Sequence, residues 1–468
     1  MFSDFFINIR WKLFTLQACA GISSMLIMIG AHVWHDYIFS EPNTPNNITE
    51  TLAHELELLV ANVTFQSSIS VPILMWWDGF SSTTGLKTCQ TSQCLFVDAQ
   101  KFWRHPQTAG IFFYGSNFKR DRGLPLPRKA DVDWALLHEE SPKNEMIFNH
   151  GGWIQYFNHT ATFRQKSDWP LTYQHAPSLA LIESRSYWLD FEIKEQLQKD
   201  ELLADIAYVQ SNCDNPMERD DFVQELMKHV AVDSYGTCLH NKDLPNDIRS
   251  PEKLGDSEFL RLLSKYKFVL SIENAACPDY VTEKLWTPLV VGSIPIYLGA
   301  TNVHEFLPTH KSAILIQDFR SMSDLVDYIR TISTHKQLYY SHLAHKTKSV
   351  TNGKLVHALQ KPVGNLVEEF ECLVCRRVHQ RMSIANMGFK PEIFKANANH
   401  YGCLYPKTAL EILNHETNDG SRRSFWQDKY FQSEIEARVL AQYMDRNSNF
   451  SLSEYQEVVL RLLKDDKP

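Results

Sequence analysis

The apolar residues of this chain fall in short runs that stop abruptly at polar groups. VPILMWWD (71–78), IFFYGSNF (111–118) and WALLHEE (134–140) each carry an unbroken apolar stretch into polar residues. Runs of this length without alternation predict strands buried on both faces, as in a parallel sheet covered by helices. A second series begins near residue 200. LADIAYVQSNC (203–213) predicts a strand that stops at Ser211 and Asn212. In the next segment, MERDDFVQELMKHV, Phe222, Val223, Leu226, Met227 and Val230 share one helical face. KFVLSIEN then reads as a strand, DYVTEKLWTPLVVG as a helix starting near Asp279, and IPIYLG and SAILIQDF as strands. Strands alternating with helices imply parallel pairing through right-handed crossovers, so the pattern predicts two α/β lobes facing a cleft. No internal repeat of solenoid length interrupts it.

Ahead of the lobes the pattern changes. Residues 13–34, LFTLQACAGISSMLIMIGAHVW, contain no Asp, Glu, Lys or Arg. That is long enough to span a hydrocarbon core of about 30 Å as a helix. Arg10 and Lys12 precede it and Asp36 and Glu41 follow, which keeps residues 1–12 cytosolic and makes a single-pass type II anchor with the bulk luminal. A cleaved signal peptide is the competing reading, since Ala18-Cys19-Ala20 resembles a cleavage site. That site precedes the most apolar stretch, SSMLIMIG, rather than following it. Residues 35–68 read as a luminal stem, with Pro/Asn-rich SEPNTPNNITE and a short amphipathic helix at TLAHELELLVAN.

Sequons at Asn47, Asn62, Asn158 and Asn449 fit that route. So do the nine cysteines, which include the close pairs Cys89/Cys94 and Cys372/Cys375. In a luminal chain such pairs favour disulfides, and no second C-x-x-C completes a four-cysteine zinc site. Spacing alone leaves the connectivity open. Across 468 residues, 44% hydrophobic and 22% charged, the balance is that of a globular chain. A net charge of -8 argues against a broad nucleic-acid surface, yet leaves room for a few cations in one cleft.

Three strand ends of the second lobe carry polar groups: Ser211-Asn212, Ser234-Tyr235-Gly236 and Glu273-Asn274. In an open parallel sheet such ends converge on one crevice. The helix that follows Asp279 aims its free N–H groups there. Arg219 and Lys284 supply two cations, which together make a diphosphate site that needs no metal. Glu273 or Glu283 would repel phosphate, so they suit the hydroxyls of a sugar or ribose. In the tail, Asp445, Asn447 and Asn449 have the spacing of a calcium loop. Phe450 and Gln456 replace the Gly and Glu it needs, and a capped helix–turn–helix explains the same residues.

KYKFVLSIENAACPDYVTEKLWTPLVVGSIPIYLGA (265–300) resembles the signature of the α1,3-fucosyltransferases, glycosyltransferase family 10. Similarity runs over about residues 70–380, through HEESPKN, TATFR, YVQSNC, DSYG and the C-x-x-C. LPLPRKA, HEESPKN, DSYGTC and the tail YMDRNSNFSLSEYQE are most similar to the divergent fucosyltransferase 10 and 11 subgroup, described as protein O-fucosyltransferases of the endoplasmic reticulum acting on EMI domains. The resemblance implies a GT-B fold with two Rossmann-like lobes: an acceptor lobe at 69–195, a GDP-fucose lobe at 196–375 and an extension at 376–468.

It implies an inverting transfer of fucose from GDP-fucose, without metal or other cofactor. The acceptor would be a Ser/Thr hydroxyl of a folded cysteine-rich glycoprotein, at the endoplasmic reticulum or Golgi membrane. The alternatives are α1,3-fucosylation of GlcNAc in N-glycans, or a catalytically silent sugar-binding protein on the same fold. Oligomeric state stays open.

Ser211, Asn212, Arg219, Tyr235, Glu273, Asn274, Tyr280, Glu283 and Lys284 match donor-binding positions of that family. Glu140 matches its proposed general base, with Glu139 competing for the role. Arg219 and Lys284 would stabilise the leaving GDP. Asp131-Val-Asp133 has the spacing of a metal-holding pair but belongs to the acceptor lobe, so it reads as structural. Two departures stand out: Ile272 replaces the usual Phe, and Arg164-Gln165 stand where two arginines are frequent, which touches acceptor handling. The resemblance also ties Cys372 and Cys375 back to Cys89 and Cys94. Cys213 and Cys238 flank one helix and strand and can pair, which leaves Cys277 and Cys403.

Overall fold

The computed structural model describes residues 69–468 except 81–83, 120–122, 246–247, 249–256, 361–363, 417–422 and 466–468. The span expected at 13–34, the stem, Asn47 and Asn62 lie outside the described residues. Among the described residues no helix is long and apolar enough to cross a membrane.

Two sheets carry the fold. The first has seven strands in the order β2-β3-β1-β4-β5-β6-β7. These are β1 (Ile73–Trp76), β2 (Gly85–Cys89), β3 (Ser92–Val97), β4 (Thr108–Tyr114), β5 (Asp133–His138), β6 (His159–Thr162) and β7 (Trp169–Pro170). All neighbours pair in parallel except the β2–β3 hairpin. The second sheet is wholly parallel in the order β12-β11-β10-β8-β9. Its strands are β8 (Ile206–Tyr208), β9 (Val232–Ser234), β10 (Phe268–Ile272), β11 (Ile294–Leu298) and β12 (Ile314–Leu315).

The central strand β10 shows why unbroken apolar runs mark these strands. Phe268, Leu270 and Ile272 face one layer, with Phe222, Val223 and Leu226 of the helix Arg219–Met227. Val269 faces the other, with Tyr235, Phe259, Leu262 and Val290. Each such side chain contributes about 1.5–3 kcal/mol of burial. Ile272 sits in this core, fully buried, so the departure from Phe is a packing matter.

Several elements are shorter than the sequence pattern suggests. The run 203–213 forms a strand only over Ile206–Tyr208, and SAILIQDF only over Ile314–Leu315. The helix expected from Asp279 starts at Glu283, because Asp279 has φ 68° and Thr282 is the N-cap.

The helix Leu366–Asn386 runs through residue 375, where the second lobe was expected to end, and it packs on the first sheet. Cys372 and Cys375, one helical turn apart, bond to Cys89 and Cys94 on the β2–β3 hairpin. Next to Cys372 in sequence, the buried Glu371 accepts from Trp76 Nε1 at 2.8 Å. The remaining disulfides are Cys213–Cys238 and Cys277–Cys403. The extension after 386 touches both sheets. Ala396 N donates to Phe157 O beside β6, and Ala409 N to Met217 O beside the second.

Asn158 is not an open glycosylation site. It is 8% exposed, its Nδ2 donates to Phe394 O at 3.0 Å and its Oδ1 accepts from Trp134 N at 2.8 Å. Asn449 is exposed. In the tail, Asn447 is the left-handed C-cap of Phe425–Arg446 and its amide exchanges hydrogen bonds with the Arg128 backbone. Asp445 accepts from Tyr156 Oη at 2.6 Å. Both side chains are thus spent on contacts with Arg128 and Tyr156, beside the turn between two helices.

Candidate active site

The crevice lies where the carboxyl ends of β8 and β10 meet the loop after β5. Its floor is set by Glu273, which follows β10 directly. Glu273 is fully buried, and Thr282 donates to it twice, from N at 2.8 Å and from Oγ1 at 2.7 Å. Burial raises its pKa to about 7. Gly299, after β11, makes room: a Cβ there would lie 2.4 Å from Glu273 Cγ. Glu273 therefore braces the loop 274–282 from beneath, and its carboxylate does not face the crevice as the donor-binding expectation had it. Thr282, which carries the brace and caps the helix Glu283–Val291, was not among the expected site residues.

Arg219 ties the strand ends together. It is the first residue of its helix and 1% exposed. Nη1 donates to Ile272 O at 3.1 Å and to Asn274 Oδ1 at 2.9 Å, and Nη2 donates to Asn212 O at 2.7 Å. Its Nε is buried without a partner among the described residues, so the guanidinium keeps donor capacity. Asn274 thus orients Arg219. Lys284 Nζ stands 3.2 Å from Thr282 Oγ1, 2.8 Å from Glu283 Oε1 and 3.8 Å from Glu273 Oε2. The Glu283 side chain is 61% exposed and open to a ligand.

Ser211 and Asn212 are exposed on the loop after β8. The Cys213–Cys238 disulfide clips this loop to the one after β9, and Thr237 Oγ1 donates to Ser211 O at 2.8 Å. Tyr235 departs from expectation. It is 5% exposed in the core, and its hydroxyl bonds to that of Tyr266, which donates to Asp233. Burial raises its pKa to about 12. Its phenol therefore points into the sheet's packing rather than toward a ligand.

The opposite wall comes from β5. Glu139 and Glu140 follow the strand and turn different ways. Glu139 Oε1 accepts from Tyr114 Oη of β4 at 2.5 Å. Glu140 faces the second sheet: Tyr280 Oη lies 3.4 Å from its Oε2. Burial, and then the Glu139 charge, raise the Glu140 pKa, while His175 and Lys284 pull it back. The same interactions place His175 and Lys143 at this wall; neither stood among the expected site residues. Tyr401, fully buried, donates to Glu140 O at 2.9 Å and stacks on His138. It lies in the extension, too far along the chain for any local signal to reveal it.

Arg164 and Gln165 do not line the crevice freely. Arg164 Nε donates to Asp279 Oδ2 at 3.0 Å, and Gln165 Nε2 to Asp279 Oδ1 at 2.8 Å. Asn302 Nδ2 also reaches Asp279 Oδ1, at 2.8 Å. This latch joins the two sheets, so Arg164 and Gln165 are engaged in an inter-sheet contact.

Asp133 stands at the opposite end of β5 from Glu140, paired with His159 at 3.1 Å and Arg381 at 3.4 Å. Among the described residues, the two clusters of metal-ligand types each contain a disulfide: Cys94 and Cys375 with His379, and Cys213 and Cys238 with Asp220. Those sulfurs are not thiolates.

Known proteins resemble this chain over most of its length. The model "Glycosyltransferase family 10 (fucosyltransferase) C-term" matches residues 197–390, and "Fucosyltransferase, N-terminal" matches 69–174. GDP-fucose protein O-fucosyltransferase 3 of Xenopus laevis is 40% identical over 400 residues, covering 83% of this chain and 84% of that protein. The Homo sapiens protein of the same name is 38% identical over 402 residues, covering 84% and 83%. A crystal structure of α1,3-fucosyltransferase with GDP-fucose aligns with 71% of this chain and 95% of its own, at 18% identity and a TM-score of 0.38. The two family models and the full-length relatives together establish that this chain belongs to glycosyltransferase family 10, the fucosyltransferases.

Proposed function

We propose that the crevice moves L-fucose from GDP-fucose to a Ser/Thr hydroxyl of a folded cysteine-rich, EMI-type protein module, with inversion at the anomeric carbon. The observation that carries this reading is the opposition of Glu140 on the first sheet to Arg219 and Lys284 on the second. The relatives named GDP-fucose protein O-fucosyltransferase 3 support the donor and the protein acceptor.

In this reading the acceptor oxygen attacks C1 and its proton passes to Glu140. The C1–oxygen bond to the diphosphate breaks, and its electron pair leaves with GDP. A raised pKa suits Glu140 to that task, because a base works best with a pKa near the operating pH. Arg219 and Lys284 take up the charge that develops on the diphosphate, the work a metal ion does elsewhere. Ser211, Asn212 and Glu283 are open to the donor's hydroxyls, while Glu273, Asn274 and Thr282 hold the cations in place. Residues 13–34 would anchor the enzyme as a single-pass type II protein of the endoplasmic reticulum or Golgi.

The test is incubation of the full chain with GDP-fucose and folded EMI modules, followed by mass spectrometry of the linkage. Fucose on Ser or Thr supports the reading. Fucose on N-glycan GlcNAc moves the acceptor assignment, and GDP binding without turnover on either acceptor replaces transfer by sugar-nucleotide binding.

A further inference from the structure

Among the described residues, three buried lysines have carbonyl oxygens around their ammonium groups. Lys194 Nζ donates to Tyr266 O at 2.8 Å and Gly292 O at 2.7 Å. Lys267 Nζ donates to Ser333 O at 2.8 Å. Lys346 Nζ donates to Ser184 O and Val290 O, both at 2.7 Å. Lys143 differs. Its Nζ is screened from solvent and has no hydrogen-bond partner among the described residues. An ammonium has three donors and no acceptor, and a charged donor left unpaired out of water is costly. Burial, and then the Arg219 charge, push its pKa down. Lys284 adds repulsion, and Asp214 and Glu140 offset part of it.

The place of Lys143 in the fold is well defined. It sits in the turn after β5, held by Asn144 N donating to Ser141 O at 3.0 Å and Asn144 Nδ2 to Ser116 Oγ at 3.3 Å. Its neighbour Pro142 shares a cavity of about 420 Å³ with Met217 and Ala275. The turn therefore meets both second-sheet loops, the one that leads into Arg219 and the one that carries Asn274. Across this contact the charges of Arg219 and Lys284 both bear on Lys143, which stands three residues after Glu140.

From this juxtaposition we infer that Lys143 is a further donor-binding residue, a third cationic ligand of the diphosphate, supplied by the first sheet. The inference rests on the donor reading above and deepens it. Arg219 and Lys284 hold the diphosphate from the sheet expected to bind the nucleotide. Lys143 reaches it from the sheet that carries the base, on the side of the β-phosphate, whose oxygen leaves the sugar. Donor binding then draws the two walls together and removes the cost of an unpaired ammonium.

The experiment compares the full chain with Lys143→Met and Lys143→Arg, by calorimetric titration with GDP, GMP and inorganic pyrophosphate and by melting without ligand. Lys143→Met should lose about 10- to 100-fold in affinity for GDP and pyrophosphate, the worth of one charge-assisted hydrogen bond. GMP, which lacks the β-phosphate, should change less than about 3-fold, and Lys143→Arg should recover most of the loss. The ligand-free Lys143→Met protein should melt at or above the parent's temperature, because an unpaired cation is gone.

Equal GDP affinity in parent and Lys143→Met overturns the assignment and leaves the donor reading intact. A lower melting temperature with GMP and GDP weakened alike also overturns it, in favour of a structural lysine. If the parent binds pyrophosphate but not GDP, and Lys143→Met loses pyrophosphate, the donor reading falls and the anion site at Lys143 stands. A parent that binds neither overturns both.

Discussion

Tyr280 Oη lies 3.4 Å from Glu140 Oε2, joining the loop after β10 to the end of β5. The two residues follow strands of different sheets, so this contact bridges the crevice. Tyr280 is wedged edge-on against Phe163, with ring centroids 5.1 Å apart. Tyr401 holds the Glu140 backbone carbonyl from the extension. Glu140 is thus held at its carboxylate by Tyr280 and at its backbone by Tyr401, whereas Glu139 next to it is turned back to Tyr114.

That geometry separates the two glutamates by experiment. Glu140→Gln should lower the transfer rate by about 10²- to 10⁴-fold, the usual worth of a positioned base. Its affinity for GDP should stay within about 3-fold of the parent, since the amide keeps the shape. Glu139→Gln should cost far less in rate. Single-turnover assays with GDP titrations check both, and rapid transfer by Glu140→Gln would sink the assignment.

Local pattern made the elements legible and left the side-chain directions hidden. The run KFVLSI is buried on both faces, so β10 and the helix after it could be read from residues 267–292. Glu273 and Tyr235 were legible as strand-end residues. Where they point is decided by Thr282 and Gly299 in one case and by Tyr266 in the other. Tyr401 and the helix Leu366–Asn386 join the first sheet from more than 200 residues away, through contacts that no window of sequence contains. Lys143 was hidden for another reason: an unpaired ammonium is a property of its surroundings.

Glu273 predicts a pH signature. Its folded pKa, raised to about 7, lies above the ordinary carboxylate value, so its contribution to stability is full below the unfolded pKa. That contribution fades as pH rises through about 7. Between 4.5 and 7 the difference amounts to on the order of 3 kcal/mol. Glu273→Gln removes the titration, so the stability of the parent relative to the variant should fall as pH rises from 5 to 7.5. Urea midpoints at the two pH values measure it. A difference that does not change with pH means that the carboxyl is not protonated in the folded state.

Gly236 predicts a backbone limit. A Cβ there would lie 1.7 Å from Gln210 O, a backbone atom fixed by Cys238 N donating to it at 3.0 Å. The loops after β8 and β9 approach too closely for any side chain between them, and relief would require moving Ser211 and Asn212. Gly236→Ala should therefore destabilise the fold by about 3 kcal/mol or more, as overpacking does at its severe end, and weaken donor binding. Gly353→Ala is the control. Nothing lies within 4 Å of its Cβ, so its stability should change by less than about 1 kcal/mol. Denaturant titration of both variants decides, and a Gly236→Ala protein of parental stability would contradict the close approach.

The sequons make the last prediction. Asn449 is exposed after the helix Phe425–Arg446, whereas the Asn158 amide is enclosed between Trp134 and Phe394. Thr160 of that sequon is fully buried, with its hydroxyl bonded to Asp168 at 3.1 Å and His400 at 2.8 Å. A glycan on Asn158 would replace the Nδ2 hydrogen bond and force the segment around Phe394 off the first sheet. Chains carrying it should fail to fold, so protein purified from a secretory host should be glycosylated at Asn449 and bare at Asn158. Asn158→Ala should destabilise by about 1–3 kcal/mol, because Trp134 N loses its acceptor and Phe394 O its donor. Peptide mapping after glycosidase treatment in heavy-oxygen water reads occupancy at each site. A folded, active protein with a glycan on Asn158 would show that this buried network is dispensable.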